Sequence, residues 1–173
     1  MISVLRVGHR RDRDKRVTTH VALVARAFGA EKVLVDAKDE KLKDTLQSVS
    51  RRFGGTFEIE TGINWRNKLK EWKGVSVHLT MYGESLEKVI DEIPRDKDLL
   101  IVIGAEKVPA DVYQMANYNV SVGNQPHSEI AALSVFLDRF TKGKWLQKNF
   151  DGNIQIVPAK VGKKVITKNE KDK

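Results

Sequence analysis

Asn119–Leu133, NVSVGNQPHSEIAAL, is the stretch on which the fold turns. It reads as a buried strand, a Gly-Asn-Gln-Pro loop and the start of a helix. The strand residues are apolar and β-branched. Gly123 can adopt backbone angles that other residues avoid, and Pro126 suits a first helical turn. A junction of this kind offers free backbone N–H groups to a ligand. A second junction lies just upstream at Leu99–Pro109, LLIVIGAEKVP. Two strand-end loops so close in sequence predict one pocket built mostly from backbone.

Outward from these junctions the chain alternates short apolar runs with helical periodicity. Strands are expected at Ser3–Val7, Lys32–Val35, Phe57–Glu60, Val75–Leu79, Leu99–Ile103 and Tyr118–Val122. Helices are expected at Val17–Phe28, Asp39–Phe53, Asn64–Trp72, Ser85–Ile93 and His127–Phe140, with a short one at Ala110–Met115. The rhythm predicts an α/β protein with a mostly parallel sheet flanked by helices. After Trp145 the pattern changes. Ile154–Val157 and Lys164–Ile166, around Gly162, read as an appended β-hairpin. The expected organisation is a main domain over residues 1–150, a hairpin over 151–167 and a disordered basic tail over 168–173.

At 173 residues the chain suits one well-buried domain. It has no apolar run of about 18 residues and no signal-peptide pattern, so a cytoplasmic protein away from membranes is expected. Cysteine is absent, which removes thiol nucleophiles and Cys-ligated zinc. The net charge of +8 favours a polyanionic partner, nucleic acid above all. One basic cluster is His9-Arg10-Arg11-Asp12-Arg13-Asp14-Lys15-Arg16. A second gathers lysines from Lys142 to Lys173, and a solvated surface is its simplest reading.

Familiar nucleotide motifs are missing. There is no G-x-x-x-x-G-K-[ST], no G-x-G-x-x-G and no G-x-S-x-G. His9, His20, His78 and His127 lack metal-ligand spacing, so no metal is expected, although His9 and His20 could meet in space. A Ser-His-Asp type of arrangement stays open. The Arg cluster is placed between the first strand and the first helix, at the edge where open α/β sheets bind ligands. Arg10, Arg13 and Arg16 recur every three residues and could grip phosphates through paired N–H donors. Asp12 and Asp14 can hold some of them in place. Thr18, Thr19 and His20 are expected in the first helical turn, where a Thr hydroxyl caps a free N–H.

Together, GHRRDRDKRVTTHVALVARAFGA, HLTMYG, IVIGAEKVP and NVSVGNQPHSEIAAL resemble the archaeal tRNA cytidine-56 2′-O-methyltransferases, members of the trefoil-knotted SPOUT methyltransferases. The likeness runs from residue 2 to about residue 167. It implies a C-terminal part threaded through a loop as a deep trefoil knot. It implies S-adenosyl-L-methionine bound there by three loops, Leu79–Gly83, Gly104–Val108 and Val122–Glu129. The implied cofactor-binding residues are Leu79, Gly104, Ala105, Glu106, Lys107, Val108, Val122, Gly123, Asn124, Gln125, Pro126, His127, Ser128 and Glu129. It also implies a homodimer through the knot region, tRNA as substrate, and methylation of a ribose 2′-hydroxyl in the T-loop. The hairpin belongs to the same resemblance.

For catalysis a guanidinium is expected to stabilise charge on the ribose oxygen, since Arg stays protonated. Arg13 is the first candidate, with Arg10 and Arg16 beside it. The pattern R-x-x-R-D-x-R-x-T-T-H covers Arg10, Arg13, Asp14, Arg16, Thr18, Thr19 and His20. Many ribose-methylating relatives carry Asn and Arg in that helix and Ser-Leu-Asn in the third motif. This chain has Thr18-Thr19-His20 and Ser128-Glu129-Ile130 instead, so their catalytic roles do not transfer. Arg26 is an alternative catalytic candidate, although Ala27 and Phe28 beside it suggest a helix end at the core, and Glu129 either balances a sulfonium or caps a helix. Two other functions fit the same features: a SPOUT enzyme with another RNA target, and a non-enzymatic RNA-binding module.

Overall fold

Alternation along the central strands builds two apolar layers, and the helices follow from it. Val4, Val33, Val35, Ile101 and Ile103 face one side of the sheet, while Leu5, Leu34, Leu100 and Val102 face the other. The computed structural model describes residues 1–105 and 107–168. Its main sheet contains β1 (Ile2–Val7), β2 (Lys32–Val35), β3 (Glu58–Thr61), β4 (Val75–Ser85), β5 (Leu99–Gly104) and β6 (Tyr118–Ser121). The order is β3-β2-β1-β5-β4-β6, and every pairing is parallel.

On the first face lie α1 (Arg11–Ala27), α2 (Glu40–Phe53), the short α4 (Leu86–Val89) and α6 (Glu129–Thr141). On the second lie α3 (Trp65–Glu71) and α5 (Ala110–Met115), through Leu69 and Val112. The strand order reverses between β1 and β5, where Val7 is in register with Gly104. Such a reversal opens a crevice at the carboxyl ends of the strands.

Three expectations are corrected. The first helix begins at Arg11, not Val17. The segment RRDRDK has no apolar period to announce a helix, yet its long charged side chains favour one. Asp12 and Asp14 in the first turn also suit the positive helix end. The helix expected over Ser85–Ile93 shrinks to Leu86–Val89, because β4 runs on to Ser85. After a bulge, Glu84 and Ser85 pair with Val120 and Ser121 of β6. Gly83 permits that approach: a Cβ there would stand 2.5 Å from the Asn119 carbonyl carbon. The last long helix begins at Glu129, so Pro126 lies in the loop before it.

Beyond a 3₁₀ turn (Lys144–Gln147), β7 (Ile154–Val157) and β8 (Lys164–Thr167) form the separate antiparallel hairpin. A bridge between Gly54 and Asp151 ties it to the end of α2. Gly54 has φ +79°, and a Cβ there would strike the Phe150 carbonyl oxygen at 1.9 Å. Lys168 is bonded to the hairpin through its backbone N–H and its ammonium. The rest of the expected tail, 169–173, is outside the described residues.

Phe136 is fully buried in α6 and stacks on Phe140. Phe136→Ala should lower stability by about 3–5 kcal/mol, as large core truncations do. Urea denaturation checks this, and a loss below about 1 kcal/mol would contradict the packing described.

Candidate functional site

The carboxyl ends of β4 and β5, with the loop after β6, enclose a cleft of about 280 Å³. From β4 come His78, Leu79, Thr80, Met81 and Tyr82. Gly104, Ala105 and Val108 line it from the loop after β5, with Tyr113 from α5. Val122, Gln125, Pro126, His127, Glu129 and Ala132 complete it. The cleft thus gathers nine of the fourteen residues expected to bind a methyl donor: Leu79, Gly104, Ala105, Val108, Val122, Gln125, Pro126, His127 and Glu129.

Four of the others stand outside its lining. The Asn124 amide donates to the Met81 carbonyl (2.7 Å) and Ser121 Oγ (3.2 Å), so it stitches the loop to β4. Ser128 caps α6, its hydroxyl accepting the Ile130 N–H. Lys107 is exposed. Gly123 has open space where a Cβ would be, with only His127 Nε2 at 4.0 Å. The fifth, Glu106, is outside the described residues.

Arg6 holds the cleft together from below, a role the sequence reading missed. Its side chain is 1% exposed on β1. One terminal nitrogen donates to the Gly104 carbonyl, and the other to Glu129 Oε1 at 2.8 Å. The end of β5 and the start of α6, both in the lining of the cleft, are therefore fastened to one guanidinium. Burying a charge is costly unless it is paired and hydrogen-bonded, and Glu129 supplies the pairing. Glu129 is neither free to balance another cation alone nor the helix cap, which is Ser128. The signal in the sequence is slight: one charge inside the apolar strand ISVLRV.

His78 was also passed over. It is fully buried, and its Nδ1 bonds to Asn119 Oδ1 at 2.9 Å. Burial lowers its pKa, so the ring is neutral near pH 7. Its Nε2 has no partner among the described residues. Tyr113 packs edge-on against the ring at 4.6 Å, with its hydroxyl 3.3 Å from that of Thr80.

The Arg cluster adjoins the cleft without lining it. Arg10 is the N-cap of α1, and Arg13 and Arg16 lie exposed in its first turns. The neighbouring Gly8 sits beside Ala105 of the cleft, where its Cβ would be 3.6 Å from that of Ala105. Asp14 accepts from Arg10 Nε (2.9 Å), Nη2 (3.0 Å) and backbone N–H (2.9 Å). These bonds hold the Asp14 pKa down at about 2. Among the described residues, Arg13 and Arg16 form no ion pair.

A buried chain of bonds fixes the approach to α1. His9 Nε2 lies 3.1 Å from Asp39, and its Nδ1 2.9 Å from the Thr18 hydroxyl. Burial pushes the Asp39 pKa up, but the Leu42 N–H and His9 outweigh it and leave the carboxyl below its usual range. The order resembles a hydrolytic triad, yet Thr18 is fully buried in the third turn of α1 and no substrate can reach it. Thr19 bonds back to the Lys15 carbonyl. Neither threonine caps the helix, contrary to expectation. His20 is exposed and does not meet His9. Arg26 is spent on structure: it donates to the Gly54 carbonyl and lies over the Phe150 ring at 4.5 Å.

The result is a strand-end cleft with a mixed polar and apolar lining, His78 in its wall, and the turn that leads into α1 beside it at Gly8 and Ala105. It can hold a nucleoside-sized group and act on a polyanion beside it. Comparison with known proteins agrees. The SpoU methyltransferase AviRb from Streptomyces viridochromogenes, solved with the cofactor AdoMet, superposes with a TM-score of 0.57 at 13% identity. The match covers 83% of this chain and 57% of that one, and it defines the class of fold: that of the SpoU methyltransferases.

A family model described as tRNA ribose 2′-O-methyltransferase, aTrm56, matches residues 53–166. The tRNA (cytidine(56)-2′-O)-methyltransferase of Thermococcus kodakarensis is 56% identical over 96% of this chain and 97% of its own length. The protein of that description from Picrophilus torridus is also 56% identical, over 95% of this chain, which spans only 48% of that longer relative. The chain belongs to the aTrm56 family of tRNA ribose 2′-O-methyltransferases.

Two measurements probe this geometry. In a double-mutant cycle, Arg6→Met and Glu129→Gln should couple by about 1–3 kcal/mol in folding free energy; additive losses would mean the clasp is not formed. The depressed Asp14 pKa contributes stability that is present above the unfolded value of 3.8 and is lost as pH falls toward about 2. Allowing for solvent around Arg10, the effect is about 1 kcal/mol. Asp14→Asn should flatten the fall in stability between pH 4 and pH 2, and an unchanged acid slope would contradict the pairing.

Proposed function

We propose that the protein transfers a methyl group from S-adenosyl-L-methionine to the ribose 2′-hydroxyl of cytidine 56 in the T-loop of tRNA. The observation that carries this reading is the convergence of three strand-end loops on the cleft, within a chain 56% identical to a full-length relative of that description. The residues present fit the methyl donor. Leu79, Val108 and Val122 offer apolar side chains, and Gly104, Ala105 and residues 125–127 bring three chain segments to the cleft. His78 is among the lining residues, and its buried Nε2, without a partner among the described residues, is an orphan of the kind a polar ligand atom satisfies. When bound, S-adenosyl-L-methionine supplies an electrophilic methyl carbon on a sulfonium.

The chain's own task is then to bind, orient and stabilise. A ribose hydroxyl is weakly acidic, so negative charge on its oxygen must be compensated as the proton leaves. Arg13 and Arg16, exposed in the first turns of α1 and without ion-pair partners among the described residues, suit that role. Arg10, held by three bonds to Asp14, suits phosphate positioning. Arg13 remains the first candidate. In-line placement of hydroxyl and methyl supplies much of the remaining acceleration.

We further infer a homodimer through the region where α6 crosses the C-terminal ends of β4 and β6, the part threaded as a trefoil knot. Leu86, Ile90, Val122 and Val135 line a cleft there beside Glu87 and Arg139, with Val135 40% exposed on α6. Such a patch is of the kind that marks subunit contacts. The protein would work in the cytoplasm, where tRNA is matured.

Unmodified tRNA incubated with labelled S-adenosyl-L-methionine should carry label on the ribose of cytidine 56, and a deoxycytidine there should abolish it. Label on a base, or on the deoxy substrate, would overturn the reading. Arg13→Ala should lower the single-turnover rate at least about 100-fold, with donor affinity by calorimetry changed by less than about threefold. Equal losses in both would show that Arg13 supports the pocket instead.

A further inference from the structure

The second basic cluster acquires a shape in the fold. At the C-terminal end of α6 lies a separate cleft of about 510 Å³, lined by Arg95, Lys142, Lys144 and Lys148 around Trp145. No carboxylate is among its lining residues. α6 is 13 residues long, so this cleft stands about 20 Å from the methyl-donor cleft at the helix's other end.

Its floor is fixed. The Trp145 indole stacks on Phe28 with centroids 4.0 Å apart, and its Nε1 donates to Asp138 Oδ1 at 2.8 Å. Arg95 donates to the Phe140 carbonyl and lies over the Phe140 ring at 4.8 Å. Lys142 holds a left-handed backbone, φ 53°, closing α6 through bonds to the carbonyls of Arg139 and Asp138 by its own and the Gly143 N–H. These anchors set the lysine Cα positions, while the ammonium groups of Lys142 and Lys144 have no ion-pair partner among the described residues. The basic surface continues along the chain. From Lys142 to Lys168 there are seven lysines and one acid, Asp151, which is already paired with Lys168.

Lys142 and Lys144 have no ion-pair partner among the described residues, whereas Arg95 lies 3.6 Å from Asp91, and these two ammonium groups on a rigid surface repel one another unless a polyanion covers them. Fixed aromatic and cationic groups together suit a nucleic-acid backbone better than a small anion. We propose that the cleft formed by Arg95, Lys142, Lys144, Trp145 and Lys148 is a second contact site for the phosphate backbone of the substrate RNA, remote from the nucleotide being methylated. This inference rests on tRNA as the substrate. A folded RNA broader than about 20 Å can touch both ends of α6. The remote site adds affinity without taking part in the reaction, because none of its residues lines the donor cleft.

The test uses the full chain and a variant, Lys142→Gln/Lys144→Gln/Lys148→Gln, whose changes are all at exposed positions. Binding to a full-length tRNA transcript is measured by filter retention across a salt series, beside the single-turnover methylation rate at saturating tRNA. The variant should bind at least tenfold more weakly. Its slope of log affinity against log salt should be shallower by about 2, since each phosphate contact contributes about 0.7–0.9. Its saturating rate should stay within about twofold of wild type. Unchanged affinity and slope, with the wild type active on tRNA, would overturn this inference alone. A wild type that neither binds nor methylates the transcript would overturn the tRNA reading itself.

Discussion

A single buried guanidinium governs the site. Arg6 sits in the middle of the sheet, where a charge is expensive, and it is tolerable because the Gly104 carbonyl and Glu129 surround it. Those two partners belong to different elements, Gly104 to the end of β5 and Glu129 to the start of α6, separated by 25 positions in the chain. The clasp ties these two ends together beneath the cleft. Around it the other walls are fastened by side chains as well, Asn124 to β4 and Asn119 to His78. A cleft assembled this way is preformed, so little ordering remains to be done when a ligand arrives.

Charge is partitioned along the molecule in a way that the total of +8 conceals. Arg10 is engaged by Asp14, which fixes its direction and mutes its field, while Arg13 and Arg16 project without partners from the same helical end. The bonds among His9, Thr18, Asp39 and the backbone make the β1–α1 turn stiff, so the cations at the rim are held in position rather than trailing from a loop. At the far end of α6, the lysines around Trp145 form a second positive field. The proposed attraction of RNA would draw on both fields, and the proposed chemistry only on the first.

Much of this was legible from sequence. Apolar runs in βα alternation gave the parallel sheet, and the Leu99–Pro109 and Asn119–Leu133 junctions located the cleft. The failures have specific causes. Helix α1 begins six residues early because RRDRDK carries helix propensity without an apolar stripe. The extension of β4 was hidden because it depends on a register shift against β6 that only Gly83 allows. Arg6 and His78 were invisible as site residues because each is a polar residue among buried apolar neighbours in its strand, and its meaning depends on a partner far along the chain. Asn124 and Ser128 fell in the right loop but turned out to brace it, a distinction made by side-chain direction and not by residue type.

A crystal structure of the protein with S-adenosyl-L-methionine and no RNA tests the central claim most directly. The account predicts the donor between the ends of β4 and β5 and the loop 122–129, with Arg6 still joining the Gly104 carbonyl to Glu129 beneath it. A donor bound elsewhere, or one whose arrival separates Arg6 from Glu129, would contradict it.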